Sequence, residues 1–225
     1  MTFSIAGRCA RTHAFGVAVA TSSIAVGARC PYARAGVGAA TSQNVTDPAL
    51  GPLLLDLMER GLSAPAAIDA VTHDRPHIAH RQLTAVDSDG VAACYSGSRI
   101  LGVHGESVRQ DCVAAGNLLA SARVPEAMTA AFAATCDAPL ADRLLAALRA
   151  ALDAGGEVGS VHSAALIVVT DAGYPYANLR VDWSDGDPVA ALDGLWRAYA
   201  PQADAYMTRA RNPDAAPSYR VPGDP

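Results

Sequence analysis

Apolar and polar residues alternate over most of the first twenty positions of the chain. Alternation with a period of two is typical of strands that bury one face, so residues 2–7 and 15–19 predict two strands joined by a turn near His13. The small residues of 36–43 predict a third strand, one that lets another layer approach closely. The opening part of the chain is therefore expected to lie within a sheet.

Apolar residues spaced three and four apart predict helices further along the chain. The predicted helices begin at Asp47-Pro48 and at Ser63 and then cover residues 124–135, 139–154 and 188–209. Four of them come in two pairs, and the fifth follows the last predicted strand. Paired helices are not expected in a doubly wound parallel sheet, where single crossover helices alternate with strands.

The remaining strands are predicted as neighbouring hairpins. Residues 82–87 and 91–96 flank Asp89-Gly90, a pair typical of tight turns, and an apolar run at 164–169 is followed by an alternating partner at 178–183. This order predicts an α+β fold, a four-layer αββα sandwich of two antiparallel sheets covered by helices. We expect one domain over residues 1–210 and a flexible proline-rich tail over 211–225.

Composition narrows the function classes. The 225 residues are 51% hydrophobic and 17% charged, as expected for a folded core, and the net charge of -5 argues against nucleic-acid binding. All 17 basic residues are arginine, and the absence of lysine excludes a Schiff-base lysine or a phosphate-loop lysine. Five widely spaced cysteines without a Cys-x-x-Cys motif indicate reduced thiols. With neither a convincing signal peptide nor a membrane-spanning run, the sequence predicts a cytoplasmic protein without membrane partners.

The second residue carries the most specific chemistry. Removal of Met1 would leave Thr2 with a free α-amine beside its own hydroxyl, so that nucleophile and base belong to one residue. An α-amine has a pKa of roughly 7.7 to 8, which leaves a useful neutral fraction near pH 7. Thr2 also leads directly into the first predicted strand.

Several segments give the chain a resemblance to a known superfamily. They include Met1-Thr-Phe-Ser-Ile5, Phe15-Gly-Val-Ala-Val19, Pro31-Tyr-Ala-Arg-Ala-Gly-Val-Gly38, Ala40-Thr-Ser-Gln43, Ala115-Gly-Asn-Leu-Leu119 and Ser163-Ala-Ala-Leu166. With these motifs the chain resembles the N-terminal-nucleophile (Ntn) hydrolases, and more closely a bacterial family of unknown function within them. The resemblance implies the αββα sandwich and amide-bond hydrolysis without a cofactor. The implied substrate is a small amide, acyl-amino acid or peptide.

The candidate catalytic residues are Thr2, Asn117 and Arg34. Asn117 follows a predicted strand and is a candidate donor to a tetrahedral oxyanion. Arg34 lies in an apolar stretch, where it either assists the nucleophile or substrate as a fixed cation or pairs with Asp47 or Asp87. The candidate substrate-binding residues are Ser4, Ser42, Gln43, Arg81 and His162.

Three alternatives remain open at this point. The first is a catalytically silent binding or assembly module that retains Met1. The second is an enzyme that keeps Met1 and uses His162 or Ser163. The third, a metal site at His73, His77 and His80, is disfavoured because Pro76 interrupts any helix there, so no metal is expected. Apolar stripes on the helices also suit a homodimer.

Overall fold

Ten strands form two antiparallel sheets in the computed structural model, which describes residues 1–219 and 221. The first sheet has the order β10-β9-β2-β1-β8-β7, and the second has the order β3-β4-β5-β6. The strands are β1 (Thr2–Arg8), β2 (Phe15–Thr21), β3 (Pro31–Arg34), β4 (Gly38–Asn44), β5 (Arg81–Asp87), β6 (Ala92–Ser96), β7 (Gly105–Arg109), β8 (Cys112–Asn117), β9 (Ser163–Val169) and β10 (Ala177–Val181).

Helices cover the outer face of each sheet. They are α1 (Leu50–Glu59), α2 (Ala64–Thr72), α3 (Val124–Ala134), α4 (Leu140–Asp153) and α5 (Pro188–Arg211). The first two pack on the second sheet, and the other three pack on the first. The predicted αββα sandwich of antiparallel sheets is therefore confirmed.

One strand was missed, and one helix begins later than its sequence predicts. The strand Pro31–Arg34 was not predicted, because its four residues begin with proline and do not alternate in polarity. The first helix begins at Leu50 instead of at Asp47-Pro48. The carboxylate of Asp47 accepts a hydrogen bond from the backbone N–H of Ala49, so it closes a turn before the helix instead of capping it.

The space between the two sheets changes character along its length. At one end it holds an apolar cluster that includes Ala6, Val17, Val86 and Val113. At the other end, where β1 begins, buried polar side chains take the place of aliphatic ones. Buried polar groups require hydrogen-bond partners, so this end is built for something other than hydrophobic packing.

Residues 213–219 fold back on the end of α5. A short 3₁₀ turn spans Pro213–Ala215, and the Arg209 guanidinium lies 3.6 Å from the centre of the Tyr219 ring. The rest of the predicted tail, residues 220 and 222–225, lies outside the described residues. Within residues 1–219 and 221, no helix has the length and apolar character needed to cross a membrane.

Candidate functional site

Thr2 lies at the polar end of the space between the sheets. It is the first residue of β1, and β1 is flanked by β2 and β8 in the middle of the first sheet. Its strand partners are Thr21 on one side and Asn117 on the other. Because these three residues all lie at strand ends, the register of the sheet brings their side chains to one place.

The carbonyl group of Met1 contacts two threonine hydroxyls. The Thr2 Oγ1 donates to the Met1 carbonyl oxygen at 2.6 Å, and the Thr21 hydroxyl donates to the same oxygen. The two hydroxyl oxygens lie 3.1 Å apart. The site therefore holds an acyl carbonyl beside the Thr2 hydroxyl, although the nitrogen of Thr2 is still part of a peptide bond to Met1.

Three buried amide side chains, those of Gln43, Gln82 and Asn117, connect the two sheets next to the start of β1. The Ser4 hydroxyl donates to Gln43 Oε1 at 2.6 Å, and Gln43 Nε2 donates to Gln82 Oε1 at 2.9 Å. Asn117 Nδ2 donates to the same oxygen of Gln82 at 3.2 Å. All four side chains are at most 1% exposed, so the network is shielded from solvent. The structure thus brings Ser4, Gln43 and Asn117 together near Thr2.

The network also fixes which atom of Asn117 is free. Gln82 Nε2 donates to the backbone carbonyl of Gly116 at 3.2 Å and to Ser96 Oγ at 3.0 Å. A carbonyl accepts only, so the Gln82 nitrogen must face Gly116 and its oxygen must face Asn117. The Asn117 nitrogen then faces Gln82, and its Oδ1 is buried without a hydrogen-bond partner among the described residues. Asn117 therefore has an unpaired acceptor, while Gln82 engages one of the two N–H groups of its amide.

Glu157 is a second buried acceptor near Thr2 that sequence reasoning missed. It is 5% exposed, and neither carboxylate oxygen has a hydrogen-bond partner within residues 1–219 and 221. Burial raises its pKa to about 7, although the α-ammonium of Met1 and the backbone N–H of Ser22 act in the opposite direction. The Ser22 N–H is thus close to the carboxylate without meeting hydrogen-bond geometry.

The backbone holds Glu157 close to the start of β1. Leu119, two residues beyond Asn117, forms an isolated antiparallel bridge with Glu157, and the Val158 N–H donates to the Leu118 carbonyl at 3.0 Å. In the sequence, Glu157 follows the Gly-Gly pair that ends α4, and nothing in that local pattern distinguishes it from an exposed loop residue. Only the long-range pairing brings it to the site.

Two of the predicted binding residues have structural partners instead. Ser42 points away from Gln43, since neighbouring strand residues face opposite sides, and its hydroxyl donates to the Asp47 carbonyl at 2.8 Å. The Arg81 guanidinium donates to the Val45 carbonyl, while the next residue, Gln82, points inward. The structure does not bring Ser42 or Arg81 together with Thr2.

Arg34 lies at the opposite end of the second sheet. It pairs with Gly38 at the start of β4, whereas Gln43, which contacts Ser4, is five residues further on, roughly 16 Å at strand spacing. The guanidinium binds the Asp56 carboxylate at 2.8 Å and the Glu59 carboxylate at 2.7 Å. These partners differ from the expected Asp47 or Asp87. They pair with the guanidinium that is expected from the sequence to assist Thr2.

The side chains of His162 and Ser163 both contact backbone carbonyl oxygens. The His162 ring stacks on Trp183 with centroids 4.3 Å apart, and its Nδ1 lies 2.8 Å from the Ser184 carbonyl oxygen. The Ser163 hydroxyl donates to the Ser23 carbonyl at 2.6 Å. Neither side chain hydrogen-bonds the other, so the geometry of an activated serine is absent from this pair.

The three histidines of residues 73–80 form no cation site in the described part of the chain. His73 Nε2 lies 3.2 Å from an Asp74 carboxylate oxygen, and both side chains are largely exposed. Within residues 1–219 and 221, no group of three or more His, Cys, Asp or Glu side chains is arranged to hold a metal ion.

These features define a class of protein. Its members are four-layer αββα sandwiches whose central strand begins at a buried threonine. Residues 2–192 match the model of DUF1028, a family of unknown function, and the chain belongs to that family. A crystal structure of a DUF1028 protein from Silicibacter pomeroyi is 34% identical, with a TM-score of 0.82 over 88% of this chain and 89% of that one.

Two further solved structures have weaker similarity. Anbu (ancestral beta-subunit) from Yersinia bercovieri is 11% identical, with a TM-score of 0.41 over 90% of this chain and 96% of that one. Anbu from Hyphomicrobium sp. strain MC1 is 10% identical, with a TM-score of 0.42 over 97% of this chain and 100% of that one. No curated protein matches the chain.

Proposed function

We propose that the protein is an Ntn-type amidohydrolase that cleaves a small amide, acyl-amino acid or peptide through Thr2. The observation that supports this most directly is the Thr2 hydroxyl, buried at the end of the central strand and 3.1 Å from the Thr21 hydroxyl. In this proposal Met1 is removed, which frees the α-amine that serves as the base. No cofactor takes part.

The proposed reaction has two steps. The Thr2 oxygen attacks the amide carbonyl carbon, and its proton passes to the α-amine. A C–O ester bond forms, the C–N bond breaks, and the leaving amine takes up that proton. Water then attacks the ester, which releases the carboxylic acid and returns a proton to the Thr2 oxygen.

The Thr21 hydroxyl is the proposed donor to the developing oxyanion. It already donates to a carbonyl oxygen beside Thr2, in an environment that excludes most water. Asn117 as a second oxyanion donor stays a prediction: Gln82 engages one N–H of its amide, and the role needs the other. Arg34 has no part in the proposed mechanism, since Asp56 and Glu59 occupy its guanidinium.

The proposal is tested with protein whose first residue is Thr2, produced by cleaving an amino-terminal fusion. A panel of fluorogenic aminoacyl and acyl amides is assayed with the wild type and with Thr2→Ala and Thr2→Ser. We expect the alanine variant to lose activity by about 1000-fold or more, as when other enzymes lose their nucleophile. The serine variant retains part of the activity because it keeps both the amine and a hydroxyl.

Thr208→Ala is the matched control, because Thr208 lies on α5 and its hydroxyl binds only its own helix backbone at Asp204. Its rate should equal that of the wild type. Hydrolysis at wild-type rate by Thr2→Ala would contradict the proposal.

A specific observation favours the alternative of a silent binding module. With Met1 in place, its carbonyl is satisfied by two hydroxyls, and its side chain reaches Gly159, where an added Cβ would lie 2.8 Å from Met1 Cε. A retained Met1 thus fits the site without an unpaired carbonyl. The intact mass of the purified protein distinguishes the two functions, since an acylated Thr2 nitrogen cannot act as a base.

A further inference from the structure

Three buried acceptor oxygens around the start of β1 make no hydrogen bond to any of the described residues. They are Oδ1 of Asn117 and both carboxylate oxygens of Glu157. An unpaired buried acceptor destabilises a folded protein, and a buried carboxylate does so more strongly than an amide. Three unpaired acceptors close to one proposed nucleophile therefore indicate a ligand that supplies N–H donors and a positive charge.

Met1 already lies in this region. Met1 extends from Thr2 toward residues 157–159, and its side chain lies against Gly159. Its α-ammonium is near enough to lower the pKa of the Glu157 carboxyl. Met1 thus presents a carbonyl to Thr2 and an unbranched side chain to Gly159, two residues from Glu157, while its ammonium makes no hydrogen bond to the Glu157 carboxylate.

We propose that Glu157 forms a subsite for the primary ammonium of the substrate's acyl residue. The substrate class is then an aminoacyl amide or a peptide with a free amino terminus, and hydrolysis releases the amino-terminal residue. This inference rests on the proposed function and narrows its substrate from amides in general to α-amino amides. Glu157 contacts the substrate but takes no part in bond cleavage.

The groove beside Glu157 has room for the side chain of that residue. It opens to solvent, and its walls include three glycines and Val161 together with the acidic residues Asp185 and Asp187. Three glycines leave the backbone close to the ligand, and a Cβ at Gly159 would contact the position of the Met1 side chain. We therefore expect an unbranched apolar side chain, such as that of methionine or norleucine, to bind better than a β-branched one.

The subsite is tested first by binding, independently of catalysis. Protein that begins at residue 2 and carries Thr2→Ala, so that it cannot hydrolyse the ligands, is titrated calorimetrically at pH 7 with norleucine amide and with N-acetylnorleucine amide. We expect the free amine to bind about 10- to 100-fold more tightly, as for a buried hydrogen-bonded charge pair. Glu157→Gln should abolish that preference, and protein that retains Met1 should bind neither ligand.

Glu126→Gln is the matched control, since Glu126 is an exposed residue in the first turn of α3. It removes the same charge and should leave the preference unchanged. Equal binding of the two amides by the Thr2→Ala protein with Glu157 in place would overturn the subsite, and so would an unchanged preference after Glu157→Gln is added.

A hydrolysis assay then separates this inference from the proposed function. The free and acetylated norleucine p-nitroanilides are compared, and we expect kcat/KM to favour the free amine by about tenfold or more. Equal cleavage of both would contradict the ammonium subsite while leaving Thr2 hydrolysis in place. Binding that selects the free amine, without cleavage of either anilide, would support the subsite and contradict the hydrolase.

Discussion

Replacing Glu157 by glutamine should stabilise the protein in a way that depends on pH. The pKa of the buried carboxyl is raised to about 7 from an ordinary value of 4.5, chiefly because burial disfavours its charged form. Between these values the folded protein binds more protons than the unfolded chain. The free energy of unfolding of the wild type therefore falls as the pH rises through this window. Glutamine has nearly the same shape and no charge, so the free energy of unfolding of the variant does not show this decrease with pH.

The size of the effect follows from the two pKa values. A pKa of about 7 in the folded protein, against 4.5 in the unfolded chain, lowers the free energy of unfolding of the wild type by at most about 3 kcal/mol above pH 8. At pH 4.5 the free energy of unfolding falls by only a small fraction of that amount. Glu157 borders an open groove, and water there weakens the effect of burial. We therefore expect Glu157→Gln to gain about 1–2 kcal/mol over the wild type at pH 8 and little at pH 4.5.

Urea denaturation of both proteins at the two pH values measures this difference, with the cysteines kept reduced and the same amino-terminal residue in each sample. Glu126→Gln should show no comparable gain at pH 8. A Glu157→Gln variant that is less stable than the wild type at pH 8, or equally stable at both pH values, would refute the assignment of an unpaired buried carboxylate.

Other predictions concern the network, the packing and the thiols. Gln82→Leu should lower the free energy of unfolding by about 3 kcal/mol, since it leaves several buried partners unpaired; urea denaturation measures this, and a loss below 1 kcal/mol would contradict it. Gly16→Ala should lower the free energy of unfolding, measured in the same way, by about 1–3 kcal/mol, because the added Cβ would lie 2.6 Å from a backbone carbonyl oxygen of β9. Gly194→Ala is the control, with nothing within 4 Å and an expected gain of about 0.5–1 kcal/mol in α5. Cys136 is exposed, whereas burial raises the pKa of Cys112 to about 11, so a thiol reagent at pH 8 should modify Cys136 far faster, which peptide mapping measures.

The layers of the fold were predictable because each element carries its own periodicity. The alternating segments at the amino terminus became β1 and β2, and the leucine stripe of 139–154 became α4. The strand Pro31–Arg34 was missed because it is short and buried unevenly, so it leaves no period in the sequence. Its place at the edge of the second sheet depends on pairing with β4, which is a tertiary contact.

The candidate site was only partly predictable from sequence. Thr2, Ser4, Gln43 and Asn117 lie at or near strand ends, and the pairing of those strands brings them together. Arg34 was assigned to the same place because a sequence does not show which end of a strand meets another sheet.

The other departures have a similar cause. Arg81 and Gln82 are adjacent in sequence, but strand alternation turns only Gln82 inward. Glu157 acquires its position through a bridge to Leu119, a contact between residues far apart in the chain. No local pattern distinguishes such a residue from an exposed loop glutamate.

The most direct test of the account is the intact mass of the purified protein, measured before and after exposure to an epoxyketone. This reagent requires both an amino-terminal amine and its neighbouring hydroxyl. We predict a mass without Met1 that gains one adduct, mapped to the peptide that begins at Thr2 and absent from Thr2→Ala. A protein that retains Met1 and forms no adduct would contradict Thr2 as the nucleophile.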